Sequence, residues 1–149
     1  FQGIRVVRTN GQPDATVEKR SRNLRWLIVL SAVLVWAAVI GGTYIIFPPY
    51  RATPPAGATD LSEYPRSLLT SNPVTEWLHS FAMEIKEHVP WIAAMLATAV
   101  ASVGVRYESL LLSDRRINRM ATIAVAVCLV LVASAAVLGV FINKVAPLD

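Results

Sequence analysis

Cysteine is almost absent from this 149-residue chain, and histidine is nearly as rare, with one and two residues respectively. The single Cys128 sits inside an apolar run, so an intramolecular disulfide is excluded and a thiol buried there is expected to be inert. No CxxC pair, no CxxCH haem-attachment site and no zinc-type spacing occurs. A glycine-rich phosphate loop is also missing, as is any nucleophile and base pattern with a supporting acid. No catalytic residue can therefore be named, and a self-contained hydrolase or nucleotide-binding enzyme is not expected.

Charge of either sign is missing from three long stretches. Trp26–Phe47 has 22 residues without a charge, Val89–Val105 has 17 and Met120–Ile142 has 23. The chain is 54% hydrophobic with a mean hydropathy of +0.49, and its apolar residues are gathered in these blocks. A helix rising about 1.5 Å per residue needs roughly 20 apolar residues to cross the hydrocarbon core. The first and third runs meet that length; the second does so with its Trp91 end in the interface, or with a tilt. The first run is longer than a signal-peptide core and follows 25 polar residues, so its retention is expected. The fold class expected is all-α integral membrane, with three transmembrane helices plus an interfacial amphipathic helix in the outer loop.

The net charge of +4 is distributed by segment. Residues 1–25 carry six Lys/Arg against two acids, 48–88 three against five, and 106–119 four against two. The positive-inside rule then puts the N-terminus and the second connection in the cytoplasm, and the first loop and C-terminus outside. The localisation implied is the bacterial inner (cytoplasmic) membrane, multi-pass. Topology accounts for the basic clusters, so the partners expected are lipids and other membrane subunits, with no nucleic acid.

On this reading residues 1–25 are a cytoplasmic basic arm and 26–47 the first span. An outer loop follows over 48–88, then the second span over 89–112. A cytoplasmic loop at 113–119, a third span at 120–145 and an outer tail at 146–149 complete the chain. Pro48-Pro49 stops the first helix, and the RATPPAGA stretch beyond it should be extended. Thr59-Asp60 offers a cap for a short helical turn near Leu61–Tyr64, and Leu68 and Leu69 should face something apolar. Gly41-Gly42-Thr43 would let another helix approach closely, as would Ala93, Ala97, Ala101 and Gly104 in the second span and Ala135 and Gly139 in the third. No Asp, Glu, Lys, Arg or His lies inside the three charge-free runs, which argues against a proton or ion path through the membrane made by this chain alone.

Asn72-Pro73 is a strong helix start. From there an amphipathic helix is predicted over about 73–88, with Pro90 kinking it into the second span or closing it. At about 100° per residue, Glu76, His79, Met83 and Lys86 share one side, and Trp77, Phe81, Glu84 and His88 the other. Both histidines of the protein lie here, which makes this helix the candidate site. Four readings compete. An imidazole could ligate a b-type haem, but nine residues turn a straight helix by about 900°, so one such helix cannot bring both rings to one iron. A quinone headgroup could instead be held by His88 and Glu84, with Trp91, Phe81 and Trp77 as aromatic walls. Glu76-x-x-His79 has the spacing of half a carboxylate-bridged di-iron site, though the other helices supply no matching acids. In the fourth reading these residues only bind partner subunits. The cofactor-binding residues expected are His88, His79, Met83, Glu84 and Trp91, with His88 and His79 as candidate ligands of haem iron.

The string LLTSNP…FAMEIKEHVPW resembles that of small, uncharacterised bacterial membrane proteins with a Lys-Glu-His before a span. The three-helix architecture also resembles the membrane-anchor subunits of bacterial respiratory complexes. That resemblance implies a non-catalytic subunit of an oxidoreductase, helping to enclose haem b or quinone near the outer membrane face. The alternative is a cofactor-free structural or assembly subunit that stabilises a partner membrane protein.

Overall fold

A computed structural model describes residues 15–147, and residues 1–14 of the basic arm and 148–149 of the tail lie outside the described residues. The described chain is all helical, without strands. Three uninterrupted helical stretches dominate it, Ser21–Tyr50, Leu78–Arg106 and Arg115–Val145, of 30, 29 and 31 residues. Each is long and apolar enough to cross a membrane. At 1.5 Å per residue each spans about 45 Å, half as long again as the hydrocarbon core, so the polar ends extend well beyond the apolar windows.

The first stretch is built from α1 (Ala15–Gly41), a π-helical segment (Gly42–Ile46) and α2 (Phe47–Tyr50). Helix thus begins at Ala15, well before the expected span start, and continues past the prolines expected to stop it. Pro48 and Pro49 lack the N–H groups that would bond back four residues, and their rings crowd the preceding turn. The chain widens just before them, and the Phe47 N–H donates to the Gly42 carbonyl, five residues back.

Between the first two long stretches the chain folds back over the helix ends. Gly57 adopts φ +85° and the Ala58 N–H donates to the Pro55 carbonyl at 3.1 Å, so the Pro/Ala/Gly stretch closes a turn instead of staying extended. The Asp60 carboxylate accepts from the Ser62 N–H at 3.0 Å, which holds its pKa below the usual carboxylate value. A single turn at Leu61–Tyr64 leads into α3 (Pro65–Thr70), with Pro65 in the first helical turn as its missing donor allows.

Asn72 then caps the next helix start, its side-chain oxygen accepting from the Val74 N–H at 2.9 Å. A second π-helical segment, Leu78–Met83, runs without a break into α4 (Glu84–Arg106). The predicted interfacial helix and the second span are therefore one continuous rod. Pro90 is accommodated inside it, at the cost of the α-helical partner of the Lys86 carbonyl. Tyr107 ends α4, α5 (Glu108–Ser113) follows, and Asp114 starts α6 (Arg115–Val145). The Asp114 carboxylate accepts from the Arg116 and Ile117 N–H groups at 2.7 and 3.2 Å, so most of the expected 113–119 loop is already helical.

Helix α4 is the centre of the bundle, packing on α1 at one side and α6 at the other, while α1 and α6 touch each other little. Ala93 and Ala94 are fully buried, and the Cys128 thiol of α6 reaches the Ala93 carbonyl at 3.5 Å. Gly104 lets α1 come close, since an added Cβ would stand 3.3 Å from Ile28 Cδ1. On the same interface the Trp36 indole N–H donates to Thr98 Oγ1 at 2.8 Å, and Trp36 meets Trp91 edge-on at 5.8 Å. Gly41 and Gly42, by contrast, have no neighbour where a Cβ would be, so no helix uses them for close approach. The largest apolar cluster sits at the loop end, where Leu69, Leu78, Ala82 and Met83 pack over Tyr50, Ile142 and Ala146, with Phe47, Leu68 and Leu138 around them.

Candidate functional site

Because α1 and α6 both lean on α4 but not on each other, a cleft remains between them at the loop end. It is a cavity of about 620 Å³, within the range of small-molecule sites. Its α1 wall runs from Val35 through Gly42 to Tyr50, its α6 wall is Val132, Ala135 and Ala136, and α4 supplies Lys86, Glu87, His88, Pro90 and Trp91 with Met83 just before it. Both π-helical segments contribute to the lining, through Gly42, Thr43, Ile46 and Met83. Widened turns of this kind are frequent at functional sites. The glycines thus provide open space rather than a helix contact.

Three of the residues named from the sequence, Met83, His88 and Trp91, come together around this cavity. Met83 is also part of the buried cluster, and Trp91 is braced by Trp36. His88 stands at the mouth with its side chain 70% exposed, and its Nδ1 lies 2.8 Å from the Glu84 carbonyl oxygen. Glu84 is outside the lining; it orients His88 through that carbonyl, while its carboxylate lies 3.6 Å from the same nitrogen. Trp77 and Phe81, the expected aromatic walls, are 48% and 60% exposed and face away from the cavity. Phe47, Tyr50 and Trp91 are the aromatic rings that line it.

His79 is half-buried under the loop, with its Nδ1 2.8 Å from the hydroxyl of Tyr50. Tyr50 lines the cavity, so His79 reaches the site through it. The two imidazoles have different partners and surroundings, one beneath the loop and one at the mouth, so a single iron held between them does not fit. Met95 and Met120 are exposed and belong to no part of the lining. Among the described residues no three His, Cys, Asp or Glu side chains group as a metal site, which leaves the Glu76-x-x-His79 spacing without a coordination shell.

Sequence reasoning missed Lys86 and Tyr50. Lys86 is half-buried in the lining and extends across to α6, its Nζ 3.2 Å from where a Cβ on Gly139 would stand. Gly139 therefore makes room for the ammonium group. Among the described residues Lys86 has no carboxylate within ion-pair distance. A cation in a mostly apolar cavity without a direct ion-pair partner is costly to the protein alone and favours a ligand or partner with acceptor oxygens. The sequence signal for it is the Lys-Glu-His before the span. What that signal does not contain is which way the lysine turns. Comparison of the chain with family models, curated proteins and solved structures finds no significant match.

Proposed function

We propose that this protein is a membrane subunit of a bacterial electron-transfer complex, and that its loop-end cavity encloses a quinone at the outer membrane face. The observation that carries the reading is the pairing of an apolar 620 Å³ cleft with two polar donors, Lys86 and Tyr50, in its lining. A quinone needs this combination: apolar walls for ring and tail, and donors for carbonyl oxygens whose negative charge grows on reduction. A haem reading calls for an axial ligand from a partner chain, because the two imidazoles of this chain do not converge. The three long helices bury between 6% and 22% of their apolar windows inside the chain, leaving wide apolar faces for lipid and partner subunits. That second observation equally supports a structural or assembly role without cofactor.

Two measurements separate these readings. Organic extraction of the purified protein should release a prenylated quinone, and a short-chain quinone should quench tryptophan fluorescence saturably. Lys86→Met should weaken that quenching about tenfold or more, the loss expected for a charge-assisted hydrogen bond. Non-saturable quenching and a quinone-free extract would reject the quinone, and a b-type pyridine haemochrome spectrum would replace it with haem. For orientation, a reporter fused after Asp149 should be active only outside the cytoplasm.

A further inference from the structure

We infer that Tyr50 and His79 form a proton relay between the cavity and the water at the loop end. This rests on the quinone reading and extends it from the donor Tyr50 to His79, a residue that reading does not require. Tyr50 is buried, lines the cavity, and has its hydroxyl 2.8 Å from His79 Nδ1. His79 is half-buried in the second π-helical segment, outside the cavity lining, and its Nε2 makes no hydrogen bond among the described residues. A phenol inside and an imidazole further out form a two-step path, since an imidazole can accept a proton at one nitrogen while releasing one from the other. The charged groups that face Tyr50 are Arg66 of α3 and Glu87 of α4.

Reduction of a quinone takes two electrons and two protons to give the quinol. The electrons come from a one-electron donor of the complex, such as a haem or iron–sulfur centre in a partner subunit. For each proton delivered, the Tyr50 hydroxyl protonates the reduced quinone oxygen. His79 passes its Nδ1 proton to the Tyr50 oxygen while its Nε2 takes a proton from a hydronium ion at the loop end. Tautomer exchange with water returns the proton to Nδ1 before the second transfer. Quinol oxidation runs the same transfers in reverse and releases the protons at the loop end.

The test uses the full chain in a lipid film on an electrode, with a bound short-chain quinone and the electrode as electron donor. His79→Ala should bind the quinone with unchanged affinity and Tyr50→Phe more weakly, through the lost donor. At saturating quinone both should slow its proton-coupled reduction roughly 100-fold, the low end for general acid–base catalysis. Added imidazole should restore the rate in His79→Ala and not in Tyr50→Phe, an outcome that a merely structural histidine would not produce. Normal binding with unchanged rates would overturn the relay and leave the quinone site standing. Absence of binding to the unaltered protein would overturn both.

Discussion

The two ends of the helix bundle are built on different principles. At the loop end a folded segment covers the helix ends and buries Leu69 completely, and a cleft lined by the three long helices opens beside it. At the opposite end the connections are short, and the links are an Arg25–Glu108 contact of 3.9 Å, the Asp114 cap and the Gly104–Ile28 approach. The first end is stabilised by apolar burial, the second by helix continuity and a partly exposed ion pair. The difference teaches where chemistry can reside. The buried cluster, the larger cleft and all the candidate residues lie at the loop end.

That contrast can be broken at its strongest point. Leu69→Ala should cost about 2–5 kcal/mol, because it opens a void in the covered cluster, whereas Leu110→Ala at the exposed end should stay within about 0.5 kcal/mol. Unfolding in mixed micelles reads both, and equal losses would show that the loop is not the stabilising cover described.

A smaller effect is expected where the ends meet. Trp36→Phe and Thr98→Val remove the same hydrogen bond between α1 and α4, and each should cost about 0.6–1.7 kcal/mol, the range for such bonds in membrane bundles. The double variant should lose no more than the hydrogen bond once, beyond the packing lost with the indole. Full additivity in the same unfolding experiment would mean that the two residues act separately.

Gly139→Ala sharpens the role of the cavity. The new methyl would meet only the flexible end of Lys86, so stability should change by less than about 1 kcal/mol while the ammonium group is displaced. Quinone-analogue affinity should therefore fall without a matching fall in melting temperature. A fall in both would place the effect in helix packing.

The weakest expected effect lies at the exposed end. Arg25 and Glu108 are 42% and 30% exposed, so Glu108→Gln should cost no more than about 1 kcal/mol, and less at high salt. A loss independent of salt would show that this pair does more than a surface contact.

Part of the site is legible in the residue pattern alone. The faces assigned to the 73–88 segment agree in part with the burial: Met83 is buried and His79 and Lys86 half-buried, although Glu76 on the same side is exposed, while Trp77, Phe81, Glu84 and His88 are exposed. Helical periodicity carries that information because it is local. The aromatic walls cannot be placed in the same way. Trp77 and Phe81 are near His88 in the chain, but the aromatic rings that line the cavity are Trp91 and, from a different helix, Phe47 and Tyr50. Tyr50 stands apart from the 73–88 segment in the sequence, and meets His79 only because the chain folds back over 29 residues.

The sequence by itself determined that this chain forms three long apolar helices, since charge-free runs of bilayer length and the caps at Asn72 and Asp114 depend only on neighbouring residues. The tertiary structure alone decided that α4 stands between α1 and α6, that a cleft opens beside it, and that Lys86, Tyr50 and His79 are gathered there. The reason is physical. In helices that meet mainly through small side chains, packing rather than hydrophobic pattern selects the neighbours, and π-turns shift the facing of residues by amounts that a regular 3.6-residue period does not contain.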